Sequence, residues 1–108
     1  MIGIDSYINI NYIFEGGISI GNEVYVGMGC TFVTSHHEIG GPTKRAGELE
    51  CKPIYIEDGY WIGANCTILP RVTIKRGAVI AAGSVVNNDC ESNCLYAGVP
   101  AKLKRVLE

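Results

Sequence analysis

Large aliphatic residues recur at every sixth position through the second half of the chain: Ile56, Ile62, Ile68, Ile74, Ile80 and Val86. The same frame runs upstream through Ile20, Val26 and Phe32, and again through Ile4 and Ile10. Four positions after most of these stands a second, mostly small residue: Val24, Cys30, Cys66, Val72, Ala78, Ser84 and Cys90. Glycine often follows the aliphatic directly, as at Gly21, Gly27 and Gly63. A helix repeats near 3.6 residues and a plain strand near two, so neither accounts for a period of six. The period fits short strands joined by tight turns, each unit pointing one aliphatic inward. Such units cannot bury their apolar faces alone, and they stack as a solenoid. Ile and Val suit the strands, while Asn22, Asn65, Gly77 and Gly83 fall where turns belong.

The frame fails in two places. Carried from Phe32 to Ile56, it would point Glu38, Lys44 and Glu50 inward. Three charges cannot line an apolar core. The chain is therefore predicted to leave the coil near Val33 and return near Ile54, with residues from about 34 to 53 protruding as a loop. A second irregularity lies between Ile10 and Ile20, where Glu15, Gly16 and Gly17 predict a bulged corner. Tyr25, Trp61, Val79 and Val85 each precede an inward aliphatic by one residue and so should point outward. Exposed apolar rows of this kind call for a covering partner.

A chain of 108 residues is read as a single domain, 1–108. No stretch is apolar enough to span a membrane, and no secretory signal is visible. Cys30, Cys66 and Cys90 sit in the small inward slot and are read as buried packing; Cys51 falls in the loop and Cys94 beyond the last coil. No cysteine pair has zinc-finger spacing, no metal is expected, and a reducing cytoplasm is the expected compartment. The net charge of −2 is unevenly spread. Residues 71–108 carry six basic side chains, Arg71, Lys75, Arg76, Lys102, Lys104 and Arg105, against three acidic ones. This is either a solvated surface or a site for a phosphate-bearing ligand. Nucleic acid is not an expected partner, given the negative total.

The only two histidines, His36 and His37, stand where the loop leaves the coil. An imidazole titrates near neutral pH, so either can take a proton from a hydroxyl; either can also be plain surface.

The run IYIEDGYWIGANCTILPRVTIKRGAVIAAGSVVNNDC, followed by YAGVPAKLKRVLE, resembles the hexapeptide-repeat acyltransferases, and within them the maltose, galactoside and polysaccharide O-acetyltransferase branch. The resemblance implies an all-β fold, a left-handed parallel β-helix of about four coils with a protruding loop and a short C-terminal tail over about 97–108. It also implies a homotrimer with shared active sites, and acetyl-CoA as co-substrate. Members of that family carry a further segment ahead of the coils; this sequence begins almost on a coil, at Ile2 and Ile4, as a minimal or a shortened form would.

The same resemblance assigns residues. The family's TSxHEIG pattern reads here Thr34-Ser35-His36-His37-Glu38-Ile39-Gly40, which makes His37 the general base and His36 the variable neighbour at the acceptor. Asn9 matches an Asn that helps hold the acceptor, with Asn11 its alternate and Glu15 a weaker acceptor-side match. Trp61, Ala64, Ala82 and Gly83 match the pantetheine groove. Asn87, Asn88, Lys102, Lys104 and Arg105 are assigned to the coenzyme's phosphate end. Two departures stand out: Arg71-Val72-Thr73-Ile74-Lys75 replaces GVTIG, and Asn88 replaces a common lysine. The expected activity is acetyl transfer to a hydroxyl of a sugar or sugar-like acceptor. Serine or amine acetylation and a non-catalytic binding scaffold remain alternatives. The metal-dependent carbonic anhydrases of this fold need three histidine ligands, one more than this chain has.

Overall fold

The computed structural model describes residues 17–108, together with the backbone of two short strands, β1 (Tyr7–Ile8) and β2 (Ile13–Phe14). Then follow β3 (Ile18–Ile20), β4 (Tyr25–Val26) and β5 (Thr31–Phe32). A pair of longer strands interrupts, β6 (Ser35–Ile39) and β7 (Ala46–Cys51). The short strands resume as β8 (Ile54–Ile56), β9 (Trp61–Ile62), β10 (Thr67–Ile68), β11 (Thr73–Ile74), β12 (Val79–Ile80) and β13 (Val85–Val86). The chain closes with β14 (Cys94–Gly98) and β15 (Ala101–Val106).

The short strands form three parallel sheets: β1-β4-β9-β12-β14, β2-β5-β10-β13 and β3-β8-β11. Cys90 extends the third sheet through a bridge to Ile74. The chain visits the sheets in the same cyclic order throughout. Trp61 pairs with Val79, Thr67 with Val85 and Tyr55 with Thr73, each 18 residues apart. One circuit is therefore three units of six. Across β6 and β7 the separation doubles: Tyr25 pairs with Trp61, Thr31 with Thr67 and Ser19 with Tyr55. The interruption thus adds the length of one whole circuit, which is why the six-residue frame runs on past it unbroken.

The frame residues fill the interior. Ile20, Val26, Phe32, Ile56, Ile62, Ile68, Ile74, Ile80 and Val86 are all buried. Each contributes roughly 1.5–3 kcal/mol over an exposed side chain. The small slot is buried as well, at Val24, Cys30, Cys66, Val72, Ala78, Ser84 and Cys90. Glycine after the aliphatic is a stacking requirement: a Cβ on Gly27 would lie 2.7 Å from the Ala64 nitrogen, and one on Gly63 would lie 2.6 Å from the Ala82 nitrogen. No side chain fits between adjacent circuits there.

The corners have their own six-residue series. Gly17, Glu23, Gly29, Gly59, Asn65, Arg71, Gly77 and Gly83 all take positive φ, between 55° and 81°. Asn65, Gly77 and Gly83 are the expected turn residues. At the fourth, the left-handed residue is Glu23 rather than its neighbour Asn22. Glu23 and Arg71 hold this conformation with long side chains, at about 1–2 kcal/mol each.

Two features depart from the pattern read in the sequence. Tyr60 occupies a small slot yet is fully buried, with Ala78 below it on the next circuit. Its hydroxyl faces the Cys90 thiol, a weak partner, and finds no nitrogen or oxygen to bond. The expected C-terminal tail over 97–108 is ordered strand. β14 starts a further circuit beside β12, so Cys94 is buried in it rather than lying beyond the coil, and β15 folds back antiparallel on β14. This covers the open edge of the first sheet with a strand rich in Lys and Arg, which discourages further pairing.

Candidate active site

The predicted loop is a β-hairpin. β6 and β7 pair antiparallel, with Ser35 opposite Cys51, His36 opposite Glu50 and His37 opposite Leu49. Glu38 and Lys44 are exposed and Glu50 half-exposed, as their charge requires. Alternation along β6 sends its two histidines to opposite faces.

On one face, His36 and Glu38 meet Glu50. The His36 Nε2 lies 3.6 Å from Glu50 Oε2. Glu38 and Glu50 face each other within hydrogen-bonding reach, and the interaction raises the Glu38 carboxyl above its ordinary range and lowers that of Glu50. With Lys52, Pro70, Arg71 and Asn87 these groups line a cleft of about 540 Å³ under the hairpin. A second cleft of about 400 Å³ adjoins it, lined by Arg71, Asn87, Asn88 and Asp89.

On the other face, His37 stands exposed among apolar neighbours, Leu49 across the strand and Ile39 further along, 89% exposed. The His37 Nδ1 lies 2.9 Å from the Gly47 carbonyl oxygen. A carbonyl only accepts, so Nδ1 carries the proton and donates it. That tautomer leaves a lone pair on Nε2, the state a general base needs.

The coil supplies the rest. Tyr25 and Trp61 pair side by side on the first sheet, 46% and 56% exposed, and flank a shallow apolar cleft of about 350 Å³. Val79 continues the row half-buried, as does Leu95, and Arg105 ends it on β15, three strands from Trp61. Ala64 and Ala82-Gly83 stack at the corner after this sheet, where the Gly83 N–H donates to the Ala64 carbonyl at 2.9 Å. With no bulky side chain, that corner offers flat backbone to an extended ligand.

The structure therefore gathers the assigned residues into separate groups. His36 and Asn87 share one cleft, and Asn87 and Asn88 share the next. Trp61 joins Tyr25, and Ala64 joins Ala82 and Gly83. Lys102, Lys104 and Arg105 are exposed on the end strand, away from both clefts. No described cavity is lined by both His37 and Trp61: the hairpin leaves the corner between the second and third sheets, whereas Trp61 lies on the first. Asn9, Asn11 and Glu15 fall outside the described residues. Among the described residues, no cluster of His, Cys, Asp and Glu side chains is placed to hold a metal. Sequence reasoning did not assign Lys52; it marked Arg71 as a departure from the repeat and a candidate cation for a phosphate-bearing ligand, without placing it in a cleft.

Comparison with known proteins agrees with this geometry. Residues 53–88 match the family model described as bacterial transferase hexapeptide (six repeats), and residues 1–34 match the hexapeptide repeat of succinyl-transferase. A galactoside O-acetyltransferase of Lactococcus lactis is 34% identical over 95% of this chain and 50% of its own length. A hexapeptide-repeat acetyltransferase of Vibrio cholerae, solved in complex with acetyl coenzyme A, is 41% identical, with a TM-score of 0.92 over 99% of this chain and 60% of that one. A maltose O-acetyltransferase of Clostridium difficile gives the same TM-score of 0.92 at 31% identity, over 99% of this chain and 58% of that one. The chain spans about half the length of the curated relatives it matches.

Proposed function

We propose that this chain, which belongs to the hexapeptide-repeat acetyltransferase family, moves an acetyl group from acetyl-CoA to a hydroxyl of a sugar or sugar-like acceptor. The relatives' names support the acceptor class, and the Vibrio cholerae complex supports the donor. The observation that carries the catalytic role is the His37 tautomer, fixed by the 2.9 Å hydrogen bond to Gly47. The acceptor's hydroxyl proton passes to the His37 Nε2. The acceptor oxygen forms its bond to the thioester carbonyl carbon, the carbon–sulfur bond breaks, and the proton passes from the imidazolium to the departing thiolate. The Gly47 carbonyl steadies the imidazolium while it exists. No covalent bond to the protein forms.

The coil would be left-handed, as in the family, and the assembly a homotrimer. The separation of His37 and Trp61 onto different sides of one chain supports that assembly. A neighbouring copy would bring its Tyr25–Trp61 face against the hairpin's apolar side, where Leu49 and Ile39 are bare. The stacked corner at Ala64 and Ala82 would then carry the pantetheine arm.

His37→Ala tests the base. Acetyl transfer should fall by roughly 10²–10⁴-fold with little change in coenzyme affinity or melting temperature. His36→Ala should retain most activity. Full turnover by His37→Ala would remove His37 from the mechanism.

A further inference from the structure

Three of the small inward residues stand in one column. Thr31 pairs with Thr67 and Thr67 with Val85, so the residues just before them, Cys30, Cys66 and Ser84, stack at the corner between the first and second sheets. All three are buried. The column before the first sheet reads Val24, Tyr60, Ala78 and Cys94, and the one before the third reads Ile54, Val72 and Cys90. Each of those includes plain hydrocarbon. Only the Cys30 column carries an S–H or O–H group in every circuit. Packing alone asks for no such donor, and the acetyl-transfer chemistry above does not use one.

The donors reach particular carbonyls. Cys30 Sγ donates to the Gly63 oxygen at 3.0 Å, and Cys66 Sγ donates to the Ala81 oxygen at 3.2 Å, each reaching across to the next circuit. Ser84 Oγ donates to the same Ala81 oxygen at 2.7 Å and accepts the Gly98 N–H at 3.1 Å. Both carbonyls therefore point into the coil. The Gly63–Ala64 and Ala81–Ala82 peptides are trans, and a trans peptide aims its N–H opposite to its carbonyl. The Ala64 and Ala82 N–H groups consequently face outward, and among the described residues neither has an acceptor. Ala64 is half-buried and Ala82 exposed, so a ligand can reach both. Two fixed donors on adjacent circuits suit an extended chain that carries amide carbonyls.

We propose that Cys30 and Cys66, backed by Ser84, are positioning residues for the coenzyme. Their thiols hold two peptide planes so that the Ala64 and Ala82 N–H groups stand ready for the amide carbonyls of the pantetheine arm. The thiols themselves touch neither coenzyme nor acceptor. Donors fixed before binding need less ordering when the ligand arrives. This rests on the acetyl-CoA reading above.

The test uses Cys30→Ala, Cys30→Ser, Cys66→Ala and Cys94→Ala in the full chain. Cys30 alone among the described side chains holds the Gly63 oxygen, whereas Ala81 keeps Ser84, so Cys30→Ala should act more strongly than Cys66→Ala. In Cys30→Ala, KM for acetyl-CoA and for S-acetylpantetheine should rise together, roughly three- to tenfold, as loss of one neutral hydrogen bond predicts. The kcat should stay within about twofold of the parent's. Cys30→Ser restores a donor and should restore both constants. Cys94→Ala removes a buried thiol from another column, so it should lower the melting temperature and leave KM alone. A backbone readout needs no turnover: by 15N relaxation, the Ala64 N–H order parameter should fall in Cys30→Ala and recover in Cys30→Ser. An unchanged KM or an unchanged order parameter in Cys30→Ala would overturn the proposal. So would failure of serine to restore them, or an equal rise of KM in Cys94→Ala. Calorimetric titration with coenzyme A and with pantetheine separates the two readings. A parent protein that binds neither overturns both. One that binds coenzyme A without transferring acetyl groups removes only the reaction, and coenzyme A affinity then replaces KM as the measure of positioning.

Discussion

The stretch from Phe32 to Ile56 and the stretch from Ile62 to Val86 have the same length and share one six-residue frame, yet only the second stays in the coil throughout. In the second, the inner frame positions are Ile68, Ile74 and Ile80, all buried, and each strand pairs in parallel with a neighbouring circuit. In the first they are Glu38, Lys44 and Glu50, and the chain turns outward into an antiparallel hairpin. Length and register are equal, so side-chain chemistry alone separates the two outcomes. The cost of placing charge in a dry interior exceeds what an extra circuit would gain. The division also sorts stability from chemistry. The coil is held by contacts that only stacking provides. The hairpin exposes most of its side chains, and it presents a histidine on each face.

The comparison breaks most sharply if the coil tolerates charge. Ile68→Asp places an unpaired carboxylate at a site with no exposure, and should cost on the order of 4 kcal/mol or more, enough to abolish cooperative unfolding. Thr43→Asp at the exposed turn of the hairpin should change stability by about 0.5 kcal/mol or less. Urea titration of both variants measures the contrast, and similar midpoints would refute it.

A second test removes the hairpin. Because the insertion equals one circuit, deleting residues 35–52 joins Thr34 to Pro53 and restores a six-residue step from Phe32 to Ile56. Residue 53 then takes the left-handed corner that Arg71 holds one circuit later, a conformation closed to proline. The deletion should therefore carry Pro53→Gly. The product should keep a cooperative melt and β-type circular dichroism, and should lose acetyl transfer. An unfolded product would mean that the hairpin is part of the coil's stability.

The smallest expected effect lies within the hairpin, at the Glu38–Glu50 pair. Glu38 has its folded pKa raised by the hydrogen bond with Glu50, so its contribution is fully present below its unfolded pKa and fades as pH rises through the folded one. Glu50 is shifted the other way, and its contribution fades as pH falls through its lowered pKa. The pair is best served while it holds one proton. Glu38→Gln removes the ionisation that costs most, so its melting temperature should exceed the parent's slightly near pH 7. The gap should close toward about pH 4, where the parent's Glu38 is protonated as well. A gap that widens on acidification would show that the two carboxyls do not interact.

Much of this was legible in the chain. The buried ladder from Ile56 to Val86, the small slot beside it and the outward row at Tyr25 and Trp61 follow from a strict period and the need to bury one face. The ejection of the segment around Glu38 and Lys44 followed from charge. The nature of that segment did not: its apolar residues are sparse, so nothing local distinguishes a hairpin from an irregular loop, and the pairing of His37 with Leu49 is a contact between distant positions. Tyr60 was missed because it breaks the small-slot rule, and only the space left by Ala78 on the next circuit admits it. The C-terminal strand was missed because β15 is mostly exposed and charged, with no burial pattern to betray it.

By itself, then, the amino-acid order determined the repeating unit, its inward and outward faces, the point where the chain must leave the coil, and two histidines as the candidate bases. Which histidine keeps a free Nε2 was decided by the fold, because the Gly47 carbonyl that fixes the His37 tautomer lies on the opposite strand of the hairpin. That Arg71 and Asn87 line one groove, and that His37 and Trp61 do not, was decided there too. A period records what every repeat must do alike. The site is made of what single residues do to partners one circuit away, and those separations carry no local signal.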